Sequence, residues 1–247
     1  MNSQTAPSRR PRNPIRLGEA WRALRKLMAD PDRTDHVFEI IDALSGNSGE
    51  KQFQRFAATA TGREVLEKDR DILPVLSDRD ALFALPEGSL GHTYAEFMNR
   101  EQISADGLAE ASEQGSDRLH TEIDQTRIRF GTRMRDTHDL WHVTTGYNRD
   151  LVGEASLLAF TFAQTRNPGI GAIVAMAYFR ATDSPHARKM IREGYRRGRK
   201  ANWLPGADWE TLLARPLDQV RAELAVEELP AYEEMRSTAG ELALKSQ

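Results

Sequence analysis

The chain has 247 residues, 39% hydrophobic and 29% charged, with 34 basic residues against 37 acidic ones and no cysteine. The length allows a sizeable core. The missing cysteine excludes disulfides, thiolate nucleophiles and Cys-rich zinc or iron–sulfur sites, so any metal must be held by His and carboxylates. A formal charge of −3 gives no footprint for nucleic acid, and no stretch reaches the roughly 18–20 apolar residues that span a bilayer.

Residues 1–16 are rich in Arg, Pro and Ser and carry no acid; Pro7, Pro11 and Pro14 oppose an amphipathic targeting helix, so this segment reads as a disordered basic arm. Helical periodicity follows almost everywhere. Leu17, Ala20, Trp21, Leu24, Leu27 and Met28 trace one helix face; Val37, Phe38, Ile40, Ile41 and Leu44 trace a second, closed by Gly46. Phe53, Phe56, Ala57 and Ala60 mark a third, closed by Gly62, and Val65, Leu66 and Ile72 a fourth, shortened by Pro74. Ser77 precedes a short helix ending near Pro86; a turn at 85–91 leads to a helix bearing Tyr94, Phe97 and Met98; and 102–117 is a polar loop. From Thr121 the pattern strengthens into a helix through His138 and His142, ending near Gly146. Further helices run from about 148–153 to 166, from 170 to about 181, and from Ser184–Pro185 through a basic stretch ending at Lys200, with Asp208 and Pro216 opening two more. The run 170–179 reads as a buried core helix, the alternative being a face that touches lipid. No alternating strand or hairpin signal occurs. The fold class is therefore all-α, with no internal repeat and no clear domain boundary.

The segment Asp136-Thr137-His138-Asp139-Leu140-Trp141-His142 carries the chemistry. At about 100° per residue His138 and His142 share a helix face and Asp139 stays within the same arc, the geometry by which helical His pairs chelate a divalent metal. The bland alternative is a pair of polar surface residues. A further ligand is available in Glu154 only if the chain reverses, since on an unbroken helix it would lie ~18 Å from His142 along the axis. Gly146, Asn148 and Gly153 allow that reversal. Zinc suits this donor set, as do manganese, iron and cobalt.

His138-Asp139-x-x-His142, eleven intervening residues and Glu154 resemble the signature of the ubiquinone (coenzyme Q) biosynthesis family called Coq four. Arg135-Asp136 before it, Gly153-Glu154 leading into an apolar helix, Leu85-Pro86-x-Gly88-Ser89-Leu90-Gly91 with Tyr94, Phe97 and Met98 upstream, and Trp209-Glu210, Pro216-Leu217 and Arg221 downstream are similar to the same family. The likeness covers about 17–228 and leaves 229–247 as a C-terminal tail. It implies a single multi-helix domain, with a zinc-like metal held by His138, Asp139, His142 and Glu154 between one helix and the start of the next. The implied activity is removal of the C1 carboxylate from a polyprenylated 4-hydroxybenzoate-type precursor, coupled to hydroxylation of that carbon. The implied setting is cytoplasmic, peripheral on the inner membrane (the matrix side in a mitochondrion). Other ubiquinone biosynthesis proteins, the membrane surface and further copies of this chain in a homo-oligomer are the expected partners.

Two other readings remain open at this point. In one, a non-catalytic scaffold cradles a polyprenyl tail on apolar helices such as 157–162 and 170–179, with a structural metal and the basic helix 188–200 against anionic lipid. In the other, a metal-dependent hydrolase recruits His92 and His120. A carboxylate substrate also wants a cation. Arg133 and Arg135 are candidates, or else ordinary solvated helix residues. No catalytic acid or base stands out.

Overall fold

The computed structural model describes residues 14–29, 34–103 and 125–235, and among these the regular structure is all helical, with no strand and one isolated antiparallel bridge between Ser89 and Pro216. The expected segments within 104–124, including His120 and most of the 102–117 loop, lie outside the described residues, as does the arm up to residue 13. Arg16, placed in the arm, is engaged instead: its amide donates to the Ala43 carbonyl and its guanidinium pairs with Glu19 and Asp42.

The first layer is a hairpin of α1 (Leu17–Ala29) and α2 (Thr34–Leu44). Ala23 and Leu27 pack with Ile40 and with Ile173 from a later helix, whereas Leu17, Trp21 and Met28 of the expected stripe are exposed, so the buried face of α1 runs through Ala20, Ala23 and Leu27 instead. Next come α3 (Ser48–Ala57) and α4 (Ala60–Glu67). Gly62 does not close the third helix as expected; it lies inside α4, because Thr59 caps α4 by accepting from the Gly62 amide at 2.9 Å. Pro74 likewise begins a helix rather than shortening one: it sits in the first turn of α5 (Leu73–Ser77), where its missing N–H costs nothing. After α6 (Arg79–Phe83), α7 (Leu90–Arg100) opens with Ser89 as its cap.

The second half supplies the site. Helix α8 (Gln125–Asp136) stops at Thr137, and α9 (His138–Thr145) begins directly after it. Gly146 ends α9 in the left-handed conformation, φ 84°, which an L side chain rarely adopts, and its amide donates to the His142 carbonyl. The chain then turns into α10 (Leu151–Thr165), followed by α11 (Pro168–Arg180) and α12 (Pro185–Lys200). A 3-10 turn at Leu204–Gly206 and the short helices α13 (Trp209–Leu212) and α14 (Leu217–Glu223) complete the order.

The main core gathers Leu90, Tyr94, Leu140, Leu157, Phe160, Met190, Trp209 and Val220 from α7, α9, α10, α12, α13 and α14. Helices α10 and α12 approach closely because Gly194 and Gly198 lie under α10: a Cβ on Gly194 would stand 2.1 Å from the Ser156 carbonyl oxygen. Two sequence expectations change here. In 157–162, Leu157, Ala159 and Phe160 are buried in this core and cannot cradle a lipid tail. In α11, only Gly169, Ile170 and Ile173 are buried and Phe179 is 69% exposed, so 170–179 is an edge helix rather than a core helix. Apolar composition sets no direction; α11 touches α2 and α10 along one narrow stripe, where Gly169 lets it close on the Ile41 backbone.

Candidate metal centre

Helix α9 places its chemistry by spacing alone. His138 and His142 stand one turn apart with ring centroids 4.9 Å from each other, and Asp139 turns inward beside them. One donor atom from each of His138, Asp139 and His142 lies within 4.8 Å of the others, a group able to hold a metal ion. The chain reversal at Gly146 then brings α10 back, so that Glu154 Oε1 lies 3.6 Å from His142 Nε2.

His142 is fully buried, and its two ring nitrogens are in different situations. Nδ1 lies 2.9 Å from the Tyr147 carbonyl oxygen, which can only accept, so Nδ1 carries the proton. Nε2 is buried without a hydrogen-bond partner, and 3.6 Å to Glu154 is too long to supply one. A neutral imidazole so oriented aims a lone pair at a carboxylate it does not bond, and the carbonyl behind it supplies the outer-shell support typical of a ligating His. Two donors on a tetrahedral zinc, at bond lengths of ~2.0–2.2 Å, stand roughly 3.3–3.5 Å apart. His142 Nε2 and Glu154 Oε1, 3.6 Å apart with no hydrogen bond between them, are spaced like two ligands, and His138 Nδ1 and Asp139 Oδ1, 3.4 Å apart in a long hydrogen bond, have a similar spacing. His138, Asp139 and His142 are therefore a group able to hold a divalent metal, with Glu154 beside His142. His138 and Glu154 are 33% and 34% exposed, so the cluster opens to solvent on one side while His142 and Asp139 are enclosed.

In the metal-free state the same carboxylates favour a proton on His142, which a metal has to displace from Nε2. Burial pushes the Glu154 carboxyl up, but the His142 imidazole beside it outweighs burial and holds it at about 2. Burial pushes His142 down, and the Glu154 and Asp139 charges more than reverse this, so its pKa is raised. Asp139 is likewise lowered: His138 and His142 overcome its burial.

The surroundings hold these residues in place. The Phe97 ring stacks on His142 at 5.7 Å. Arg197, buried, donates to the Thr145 carbonyl at 2.8 Å, and Arg221 donates to the Thr144 and Val143 carbonyls at 2.9 and 3.0 Å, so two cations bind the C-terminal end of α9. Asp150 caps α10, its Oδ1 accepting from the Val152 and Gly153 amides. Gly153 is needed there because a Cβ would stand 2.1 Å from the Asn148 carbonyl oxygen.

Several candidates fall elsewhere. Arg133 is buried and bound to Glu210 through both terminal nitrogens at 2.8 and 2.6 Å, and Arg135 pairs with Asp136 at 2.7 Å, so neither is free to meet a substrate. The cation at the cluster is Arg149, 3.6 Å from Glu154, which the sequence reading did not single out. His92 faces Leu85, Glu96 and Phe83 rather than α9. In the basic helix, Arg197 is internal, Arg196 and Lys200 pair with Glu227, and Arg188 and Arg192 lie over Tyr178. Asp150 had a legible signal, a capping Asp before an apolar helical run; Arg221 stood in the family likeness and Arg197 in the basic helix without their roles being marked, and Tyr147 and Tyr232 had no signal.

Comparison with known proteins follows the same residues. The family model described as coenzyme Q (ubiquinone) biosynthesis protein Coq4 matches residues 12–230. The ubiquinone biosynthesis protein coq4, mitochondrial, of Aspergillus flavus is 29% identical over 178 residues, 71% of this chain and 60% of that protein. The COQ4 homolog 1, mitochondrial, of Culex quinquefasciatus is 27% identical over 240 residues, 92% of this chain and 85% of that protein. The match thus spans about 60% of the length of the fungal relatives. A crystal structure of a candidate ubiquinone biosynthesis protein from Nostoc punctiforme PCC 73102 superposes with a TM-score of 0.63 at 22% identity, covering 87% of this chain and all of that one, which establishes a shared fold.

Proposed function

The chain belongs to the Coq4 family of ubiquinone biosynthesis proteins, and from that premise we propose that it removes the C1 carboxylate of a polyprenylated 4-hydroxybenzoate-type precursor at a divalent metal held by His138, Asp139, His142 and Glu154. The observation that carries the reading is the buried, unbonded His142 Nε2 aimed at Glu154 and gathered with His138 and Asp139. Bound there, zinc or another divalent metal supplies Lewis-acid polarisation of a substrate oxygen. Tyr147 holds the His142 tautomer, Asp139 and Glu154 supply negative charge, and Arg149 offers a guanidinium, 36% exposed, for the substrate carboxylate. Exposure at His138 and Glu154 gives a substrate its approach.

Replacing a carboxylate with a hydroxyl, with loss of carbon dioxide, is a two-electron oxidation. Zinc takes no part in electron transfer, so the reading takes dioxygen as its two-electron oxidant: the ring carboxylic acid, dioxygen and water give the phenol, carbon dioxide and hydrogen peroxide. The prenyl tail, the pathway proteins expected as partners and the names of the mitochondrial relatives favour a place on the matrix face of the inner membrane, or its cytoplasmic face outside a mitochondrion. No described helix is long and apolar enough to cross a membrane, and exposed Leu17, Trp21 and Phe179 support peripheral contact.

A single assay tests the proposal. Purified protein is loaded with zinc, iron(II) or manganese, with metal content read by elemental mass spectrometry, and incubated aerobically with a carboxylated, prenylated ring. Carbon dioxide release with a hydroxylated product is expected, and is lost together with the metal in His142→Ala and Glu154→Ala. Binding of the intact ring lipid without turnover under any metal would support the alternative of a non-catalytic scaffold, which a closed shell of four protein ligands favours.

A further inference from the structure

Residues 229–235 cross the turn that joins the two ligand-bearing helices. Leu229 lies over Gly146, with its Cδ2 3.2 Å from where a Cβ would stand. The Tyr232 ring meets the Tyr147 ring at 6.3 Å, and Tyr147 is the residue whose carbonyl holds His142. The Tyr232 hydroxyl donates to Asp150 Oδ2 at 2.7 Å and accepts from the Asn148 amide at 2.9 Å. The Met235 amide donates to Asp150 Oδ1 at 3.0 Å, and the Met235 carbonyl accepts from the Leu151 amide at 2.7 Å. Asp150 is 1% exposed and every bond it makes goes either to the first turn of α10 or to this segment. Its carbonyl accepts from the Glu154 amide at 2.8 Å. A carboxylate that only capped a helix would use one oxygen and leave the other to water; here the second oxygen is occupied by a phenol 82 residues away.

We propose that residues 229–235 form a clamp in which Tyr232 and Asp150 are positioning residues for Glu154, so that the clamp sets the metal affinity of the site. The physical reason is the short reach of a metal bond. Ligands must stand within a few tenths of an ångström of their place, and outer-shell partners that fix them typically change metal affinity 10–100-fold. Glu154 is the fourth residue of α10 and its side chain is 34% exposed, so its position follows the helix N-terminus. The family model's match ends at residue 230, and Tyr232 and Met235 lie past it. The inference rests on the metal reading given above.

The test titrates cobalt(II) into metal-free full-length protein and follows its visible absorption, which reports both affinity and coordination. Wild type is compared with Tyr232→Phe, Asp150→Ser, Glu154→Gln and, as a control remote from the site, Tyr195→Phe. Expected are about 10-fold weaker binding and an altered cobalt spectrum in Tyr232→Phe, with Tyr195→Phe like wild type. Asp150→Ser keeps a hydroxyl to cap α10 but cuts both ties to the clamp; it should behave as Tyr232→Phe does and serves if that variant fails to fold. Wild-type affinity and spectrum in a folded clamp variant, with Glu154→Gln impaired, would sink the clamp and leave the metal site standing. No cobalt bound by wild type would remove the metal site, and the clamp with it.

Discussion

His142 and Glu154 are tied by charge in the metal-free protein, and the tie has a defined pH window. The Glu154 pKa falls from 4.5 to about 2 on folding, so its contribution is present above about pH 4.5 and is lost as pH falls toward 2. The His142 pKa rises above 6.5, so its contribution is present below 6.5 and is lost as pH rises through the raised value. The pair therefore stabilises the metal-free fold most between roughly pH 4.5 and 6.5. A metal needs the lone pair that this proton occupies. Zinc binding near pH 6.5 is accordingly expected to release a proton and to strengthen with rising pH. Calorimetric titration in buffers of different ionisation heat measures the proton; a pH-independent affinity without release would contradict the charge assignment.

Between helices, a tight constraint is the contact of α10 with α12. Ser156 and Phe160 present their backbone to Gly194 and Gly198, and the oxygen 2.1 Å from a Cβ at Gly194 belongs to backbone, which cannot swing aside. Gly194→Ala must push the helices apart, although the substitution improves helix propensity. The expected loss is about 1–3 kcal/mol, as for other overpacked cores, which is roughly 2–12 °C in Tm for a chain of this size. Differential scanning calorimetry checks it, and a Tm raised by the alanine would show that propensity wins. The same contact places Arg197 at the C-terminal end of α9, so α12 bears on the site through a buried cation as well as through packing.

The buried pair Arg133–Glu210 ties α8 to α13 within the second half of the chain, and Arg70, 3.3 Å from Glu210, extends it to the first half. Its role separates architecture from substrate recognition. Arg133→Ala leaves Glu210 with Arg70 alone and is expected to cost roughly 3 kcal/mol, the scale of breaking a buried ion pair. Metal stoichiometry should stay unchanged, as read by thermal unfolding and elemental analysis. A variant of full stability that failed to bind the carboxylated ring would return Arg133 to the substrate site.

Much of this arrangement is local and so was legible in the chain. A period of 3.6 residues marks helices wherever one face is buried, and Ser184 accepts from the Ala187 amide where the start of that helix was read, although Asp208 opens its helix without a side-chain cap bond. Spacing of one and four residues on α9 alone brings His138, Asp139 and His142 together, and Gly146 carries the left-handed turn that the return of Glu154 requires. What local pattern does not contain is direction. Whether 157–162 or 170–179 faces the interior depends on which helix covers it, and only the first lies beneath the glycines of α12. Arg133 read as a surface cation because its partner is 77 residues away. The tautomer of His142 and the seating of Asp150 depend on Tyr147 and Tyr232, a carbonyl and a phenol that no motif marks. Covalent geometry and helix period act over a few residues, so they can be read from order alone; packing between distant segments is settled only when all faces compete for one interior.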